Sequence, residues 1–218
     1  LDSLHWVHPD ERSDVTNELD ELGLTNKKFI STIARLEPMK YVEHVIFTVE
    51  ELRKRNNDIY GLIIGDGSLR EEFEKLADSK GISNFIKFAG NCKQEWIANI
   101  LPHSSLILSP HMGRALTEAA LSGIPIVGYD YDWQREVIIN NKTGYLVDHE
   151  DWLAMANAAE DLLNNMKKTN FRINNFFIIR NDKLFYLTDI DVLDDWKEVT
   201  DKDLEIFLKS KDCTEKLN

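Results

Sequence analysis

The stretch from Leu106 to Tyr129 constrains the fold more than any other part of the 218-residue sequence. Three consecutive apolar residues, Leu106 to Leu108, are typical of a strand that is buried on both faces. After a loop, Arg114 to Ser122 is predicted to form a helix of mostly small residues. Gly123 stands where a helix commonly ends in a left-handed residue, and Ile126 to Tyr129 is the next predicted strand. A strand–loop–helix–strand unit of this kind is typical of a parallel α/β sheet.

The loop before the predicted helix has the properties of an anion-binding site. The first amides of a helix have no partners inside it, and the helix dipole adds positive potential there. Gly113 lacks a side chain, so a phosphate or a sugar can approach the backbone closely. Glu118 lies on the same helical stripe as Ala115, and its carboxylate suits a diol such as that of a ribose. Arg114 and Glu118, four residues apart, fit an ordinary surface ion pair equally well. The candidate ligand-binding residues at this helix start are Gly113, Arg114, Ala115, Leu116 and Thr117.

Charge and cysteine content exclude several classes of partner. The chain has 38 acidic and 26 basic residues and a net charge of -12, whereas a nucleic-acid surface or a polybasic membrane patch usually has the opposite sign. Cys92 and Cys213 show no metal-ligand spacing and no disulfide framework. No apolar run approaches the roughly 20 residues that a membrane span requires. The sequence therefore predicts a cytoplasmic protein, alternatively one held at the inner membrane face, without nucleic acid or a direct membrane span.

The central stretch resembles the carboxyl-terminal signature of retaining glycosyltransferases of the GT-B fold, in the family 4 group (glycosyl transferases group 1). That signature has two glutamates separated by seven residues, and here the place of the first is taken by Pro110. The resemblance implies that Glu118, at the second place, binds the nucleotide ribose. It leaves the contact to the donor sugar open, and we expect His111 to bind the sugar in place of the absent glutamate. The residues that match the signature are Gly113, Glu118, Ala119, Gly123, Pro125 and Ile126.

A second match follows the first predicted strand. The family has Gly-Arg-Leu followed by Lys-Gly, and this chain has Ala34–Leu36 followed by Lys40–Tyr41. The resemblance implies that Arg35 and Lys40 neutralise a donor diphosphate, including the charge that builds on it during departure. Two surface cations would be the more ordinary interpretation. Both residues, however, follow the carboxyl end of a predicted strand, where open α/β sheets bind ligands.

Three further segments continue the resemblance in the family's order, from about Asn26 to Leu163. Leu62 to Gly67 is close to the family's Gly-(Asp/Glu)-Gly-Pro turn. Ile86 to Gly90 is similar to its Val-x-Phe-Leu-Gly strand, and the loop residues Asn91 and Cys92 would then meet the base. Residues 141–147 are similar to Gly-x-x-Gly-x-Leu-Val.

The predicted architecture is an α/β domain with a doubly wound, mainly parallel, Rossmann-like sheet and an irregular C-terminal tail. We predict a linker over residues 1–24, the nucleotide-sugar-binding domain over 25–165 and an extension of unknown role over 166–218. Ser68 to Glu71 has the pattern of a capping box, and Asp151 is expected to cap the last helix of the domain. In the extension, residues 176–187 have the pattern of a hairpin, and Leu204 to Leu208 that of a short helix.

The segment from Asp130 to Glu136 leaves two interpretations open. Its carboxylates and Trp133 could bind sugar hydroxyls and stack on a pyranose ring, or the segment could be an acidic turn with a buried indole. Asp130 and Asp132 have an Asp-x-Asp spacing, although the resemblance implies that no metal and no cofactor are needed.

The resemblance implies the donor-binding domain of a retaining glycosyltransferase. Such a domain binds a nucleoside diphosphate sugar, whose sugar goes to a glycan or lipid-linked acceptor, and we expect it to require an N-terminal acceptor domain. A non-catalytic interaction domain is the alternative, because the first glutamate is missing. A dinucleotide-dependent oxidoreductase is disfavoured, because Ala34 to Tyr41 contains no glycine.

Overall fold

The computed structural model describes residues 13–111, 113–141 and 143–165, and the backbone of residues 176–180, 183–187 and 197–198. The chain divides into two compact units, residues 1–172 and 173–218, which are treated separately below.

The first unit contains a six-stranded sheet in which every neighbouring pair of strands is parallel. The spatial order is β3-β2-β1-β4-β5-β6, so the chain builds outwards first on one side of β1 and then on the other. This order confirms the predicted doubly wound sheet. The strands are β1 Phe29–Ile33, β2 Tyr60–Ile64, β3 Ile86–Gly90, β4 Leu106–Ser109, β5 Ile126–Tyr129 and β6 Gly144–Val147.

Helices cover both faces of this sheet. The helices are α1 Thr16–Glu21, α2 Val42–Lys54, α3 Arg70–Ser79, α4 Gln94–Ile100, α5 Arg114–Leu121, α6 Gln134–Val137 and α7 Trp152–Asn165, with short 3-10 helices at Ser83–Phe85 and Leu101–His103. On one face α2, α3 and α7 pack a hydrophobic cluster with strand residues such as Ile63. On the other face α4 and α5 pack a second cluster with residues such as Ile107.

Helix α2 illustrates how the sequence pattern builds a layer. Five of its apolar residues recur at spacings of three and four, which places them on one side of the helix. These five are buried in the first cluster: Val42, Val45, Ile46, Val49 and Leu52.

The start of α3 departs from the prediction. The predicted capping box at Ser68 to Glu71 is wrong, because α3 begins at Arg70 after Leu69 and has no side-chain cap. Instead, the amide and the hydroxyl of Ser68 both donate to the carboxylate of Glu37, at 3.0 and 2.7 Å. A partner 31 residues away in sequence therefore captures the hydroxyl that would have capped the helix.

Other local predictions agree with the structure. Asp151 accepts a hydrogen bond from the amide of Ala154 at 2.8 Å, as expected of the residue capping α7. Gly123, just after α5, has a φ of 78° and confirms the left-handed helix end. Val15 and Leu24 are buried in the second cluster, so this part of the predicted linker packs onto the sheet domain.

In the second unit, β7 Phe176–Arg180 and β8 Lys183–Leu187 pair antiparallel, and β8 pairs with β9 Lys197–Glu198. The strands of the predicted hairpin are confirmed. Its turn at residues 181–182 and the helix predicted at Leu204 to Leu208 lie outside the described residues. Within the described parts of the chain, no helix is both long and apolar enough to cross a membrane.

Candidate functional site

A cavity of about 490 Å³ lies at the carboxyl edge of the sheet, between the loops that follow β1, β3 and β4. The strand order places this cavity where the chain switches from one side of β1 to the other, which is where open α/β sheets bind ligands. Most of the residues predicted from the sequence to bind the ligand line it. They are Arg35, Lys40, Asn91, Cys92, His111, Gly113, Arg114, Ala115 and Glu118.

Leu116 and Thr117 are not part of this lining. Leu116 is fully buried in the second cluster, and its amide donates to the carbonyl of Gly113 at 2.9 Å. Neither its side chain nor its amide is therefore available to a ligand, and the predicted ligand-binding role of Leu116 is wrong. Gly113, Arg114 and Ala115 line the cavity and Leu116 turns into the core, so the candidate anion site is limited to the residues from Gly113 to Ala115.

Gly113 has a backbone conformation that only glycine adopts easily. Its φ is 148° and its ψ is -171°, directly before the first residue of α5. A Cβ placed on Gly113 would meet no atom within 4 Å. Glycine is thus needed here because of its backbone dihedral angles, and not because a side chain would collide with a neighbouring group.

The carboxylate of Glu118 is held at the cavity wall by two donors. Its Oε1 accepts from Nε2 of Gln94 at 3.2 Å and forms an ion pair with Nε of Arg114 at 3.3 Å. The side chain of Glu118 is only 12% exposed. Burial raises the pKa of this carboxyl, and the charge of Arg114 acts in the opposite direction. The ordinary ion pair considered from the sequence thus exists, at a carboxylate that also lines the cavity.

Gln94 is a site residue that the sequence analysis missed. It is the first residue of α4 and lines the cavity beside Cys92. Its position in the sequence could have indicated this role. Gln94 follows the loop after β3, so its polar side chain lies at the same edge of the sheet as Glu118.

The loop that carries Arg35 is fastened to its neighbour by backbone hydrogen bonds. The amide of Ala34 donates to the carbonyl of Ile64, and that of Leu36 donates to Asp66, both at 3.0 Å. A Cβ on Gly65 would lie 1.9 Å from the carbonyl oxygen of Ala34, so the two loops approach this closely only because residue 65 is glycine. Arg35 is exposed at the rim of the cavity.

Lys40 also lines the cavity and lies next to His111. Its Nζ is 3.3 Å from Nδ1 and 3.4 Å from Nε2 of that ring. The contact joins the loop after β1 to the loop after β4, which are 71 residues apart in sequence. Arg35, Lys40 and His111 together supply the cavity lining with nitrogen groups suited to an anion.

Cys92 is half-buried in the lining of the cavity. Its Sγ donates to the carbonyls of Ala89 and Gly90, at 3.6 Å each. Burial raises the pKa of the Cys92 thiol, so a reactive thiolate is disfavoured here. Asn91, beside it, is exposed at the mouth.

The acidic segment after β5 does not line this cavity. Asp130 forms an ion pair with Arg135 at 2.7 Å, and Trp133 packs against the second hydrophobic cluster. These contacts favour the acidic turn with a packed indole over the sugar-stacking interpretation.

Comparisons with known proteins agree with this geometry. A model of the family described as Glycosyl transferases group 1 matches residues 14–176. The alpha-D-kanosaminyltransferase of Streptomyces kanamyceticus is 27% identical over 148 residues, which are 66% of this chain and 38% of that protein. This chain spans less than half the length of the curated relatives it matches.

Solved structures with the same fold include nucleotide complexes. TarM of S. aureus, in a complex with Fondaparinux, alpha-GlcNAc-glycerol and UDP, is 26% identical with a TM-score of 0.59, over 64% of this chain and 29% of TarM. Anabaena HepE in complex with UDP has a TM-score of 0.65 over 76% of this chain and 46% of HepE. Its identity is 20%, so that likeness concerns the fold alone.

Proposed function

This chain belongs to the group 1 glycosyltransferases, and we propose that it is the donor-binding domain of a retaining enzyme that uses a nucleoside diphosphate sugar. The observation that carries the proposal is the cavity that brings Arg35, Lys40 and Glu118 together at the switch point of the sheet. These residues come from three separate sequence motifs, and no single local pattern would require them to share a cavity.

In this proposal, the two ends of the cavity recognise the two ends of a nucleoside diphosphate. The diphosphate lies against Arg35, Lys40 and the start of α5, where the helix dipole adds positive potential. Glu118 accepts hydrogen bonds from the ribose hydroxyls, and the base lies towards Asn91 and Cys92. The named relatives and the TarM complex with UDP support a nucleotide of this class.

The proposed chemistry is stabilisation of a departing diphosphate. As the glycosidic bond to the diphosphate breaks, negative charge grows on its oxygens, and the cations lower the energy of that state. The oxygen of the acceptor hydroxyl then bonds to the anomeric carbon on the same face of the sugar, while a departing phosphate oxygen takes its proton. The anomeric configuration is thereby retained without a protein nucleophile. Pro110 stands where the family has its first glutamate, so no carboxylate is present there. His111 contacts the donor sugar instead.

A glycan or lipid-linked acceptor would bind largely on an N-terminal domain, which we propose as the partner of this unit. The proposal involves no metal ion and no cofactor, since the cations and the start of α5 supply the positive charge.

Nucleotide titration tests the donor site directly. UDP, GDP and ADP are titrated calorimetrically into the unaltered protein and into Glu118→Ala and Arg35→Ala. We expect one of these nucleoside diphosphates to bind. Each substitution should reduce the binding free energy by about 1.5–3 kcal/mol, the contribution of one hydrogen bond to a charged group. Glu71→Ala and Lys75→Ala, in an exposed ion pair on α3, are matched controls that should leave binding unchanged. Absence of binding by all three nucleotides, or unchanged binding by both site variants, would contradict the assignment.

A non-catalytic interaction domain is the second candidate, and the presence of Pro110 where the family has a glutamate favours it. The two candidates differ in turnover. If the enzyme proposal holds, a protein that joins this chain to an acceptor domain should release a nucleoside diphosphate from a nucleotide sugar. If this chain is an interaction domain, it should not. Nucleotide binding without any turnover across a panel of sugars and acceptors would favour the interaction domain.

A further inference from the structure

Lys40 stands between two residues in the left-handed backbone region. Met39 has a φ of 63° and Tyr41 a φ of 53°, and neither is glycine. This region is unfavourable for bulky L-residues because Cβ approaches the following carbonyl, so surrounding contacts must hold it. The side chain of Met39 is 75% exposed and offers few such contacts, so the contacts of Tyr41 hold the left-handed backbone at the end of this loop.

The ring of Tyr41 is held by side chains from several other parts of the sheet edge. It stacks on His44 of α2 at a centroid distance of 5.3 Å. It meets Tyr129 at the end of β5 edge to face at 6.2 Å, and His149 after β6 in the same manner at 5.4 Å. Its hydroxyl donates to Oε1 of Glu150 at 2.9 Å, and this bond raises the pKa of Tyr41, so the hydroxyl stays protonated.

The remaining neighbour of the ring leads back to the cavity. The imidazole of His111 lies 6.5 Å from the Tyr41 ring, with 28° between the two planes. Nζ of Lys40 approaches both nitrogens of that imidazole. Tyr41 thus fixes the backbone that carries Lys40 and also stacks beside the ring that Lys40 contacts.

We propose that Tyr41 is a positioning residue: its half-buried ring holds the left-handed backbone at position 41 and thereby keeps Lys40, a diphosphate ligand in the proposed function, in contact with His111. The diphosphate part of this inference rests on the proposed function, whereas the coupling of Lys40 to His111 does not. Tyr41 itself does not line the cavity, so it acts through these two side chains.

Three substitutions separate the ring from the backbone and from the hydroxyl. Tyr41→Gly removes the ring, and glycine adopts the left-handed region at no steric cost. Tyr41→Asn removes the ring as well and tolerates the same backbone, so it replaces the glycine variant if that one does not fold. Tyr41→Phe keeps the ring and loses only the hydrogen bond to Glu150. Circular dichroism and the melting temperature verify that each variant is folded.

The first measurement follows the ring nitrogens of His111 by NMR in protein labelled with 15N-histidine. Lys40→Met should shift these signals in the unaltered protein and equally in Tyr41→Phe. In Tyr41→Gly, the same Lys40→Met change should shift them by less than half as much, because the two side chains are no longer held together. An equal shift in Tyr41→Gly would overturn the proposal, and this readout requires no nucleotide.

The second measurement is the ratio of the dissociation constants for uridine and UDP, or for the nucleoside and diphosphate of whichever base binds. This ratio isolates the contribution of the diphosphate. It should fall about tenfold in Tyr41→Gly, the scale of one weakened charge-assisted hydrogen bond, and stay within twofold in Tyr41→Phe. A ratio unchanged in Tyr41→Gly would refute the diphosphate part of the inference. If the unaltered protein binds no nucleotide, the donor-site proposal fails and the NMR measurement alone decides on Tyr41.

Discussion

Replacing Glu118 by glutamine should weaken nucleotide binding and at the same time stabilise the ligand-free protein at neutral pH. The carboxylate is 12% exposed and its pKa is raised by burial, with Arg114 opposing that shift. A buried charge that is only partly compensated favours ligand binding at the expense of stability. Glutamine has nearly the same shape and can still accept from Gln94, so the substitution changes the charge with little change in packing.

The expected magnitudes follow from the contacts of Glu118. Losing one hydrogen bond from a ribose hydroxyl to a charged acceptor costs about 1.5–3 kcal/mol, which corresponds to a dissociation constant roughly 10- to 150-fold higher. In the ligand-free protein, the substitution removes an ion pair with Arg114, whose side chain is 47% exposed. An i,i+4 pair of this kind contributes about 0.3–0.5 kcal/mol. The pKa of Glu118 is raised despite Arg114, so burial of the carboxyl outweighs this ion pair.

The pH dependence gives the sign of the stability change. A raised pKa means that the folded protein holds this proton more tightly than the unfolded chain does. The contribution of Glu118 to stability is therefore fully present below its ordinary pKa of 4.5 and is lost as the pH rises through the higher folded value. The glutamine variant should match the unaltered protein in melting temperature near pH 4 and exceed it at pH 7.5.

Calorimetric titration with UDP and thermal unfolding at pH 4, 5.5 and 7.5 test both parts. Glu71→Gln, whose carboxylate is 88% exposed, is the matched control and should change neither quantity. Unchanged UDP affinity in Glu118→Gln would refute the assignment of this carboxylate to the ribose. A lower melting temperature at pH 7.5 than that of the unaltered protein would refute the electrostatic reasoning.

Three further substitutions test other parts of the structure. Gln94→Leu should weaken UDP binding several-fold. It should add little further loss in a Glu118→Gln background, because both changes act on the same carboxylate oxygen. Calorimetry of the double mutant tests this, and fully additive losses of binding free energy would contradict it. Gly113→Ala should destabilise the protein by about 1–3 kcal/mol, because alanine does not adopt a φ of 148° without strain, and an unchanged urea-unfolding midpoint would show that the turn relaxes freely. His44, hydrogen-bonded to the hydroxyl of Tyr129 at 2.7 Å, has a pKa lowered by burial, so the unfolded chain binds its proton more readily and stability is lost as the pH falls below the ordinary pKa of 6.5. His44→Phe should be less stable at pH 7 and lose less stability between pH 7 and pH 5, as measured by urea unfolding, and a slope equal to that of the unaltered protein would assign the acid sensitivity to other groups.

The family match confirms the resemblance to group 1 glycosyltransferases that the sequence motifs indicated. The assignment to family 4 and the retaining mechanism stay predictions. The strand–loop–helix–strand unit around Gly113 was predicted well because its information is local. Short apolar runs mark the buried strands, and Gly123 marks the end of α5 with its left-handed backbone.

The contacts of particular side chains were much harder to predict. Ser68 was expected to cap α3, but the carboxylate of Glu37 captures it. Leu116 was placed at the ligand although it faces the core, because the rotation of α5 directs it to the second cluster while Arg114 and Ala115 line the cavity. Gln94 was overlooked because its partner Glu118 lies 24 residues further along the chain.

The sequence by itself determined the order of strands and helices and the edge of the sheet where Arg35, Lys40 and Glu118 had to be found, since parallel strands all present their carboxyl ends on one side. Only the tertiary structure decided how those side chains are held there. Gln94 beside Glu118, and Tyr41 in a left-handed backbone beside His111, join segments that are far apart in the chain. Such pairings depend on the packing of neighbouring loops against one another, and neither local propensity nor hydrophobic period carries that information.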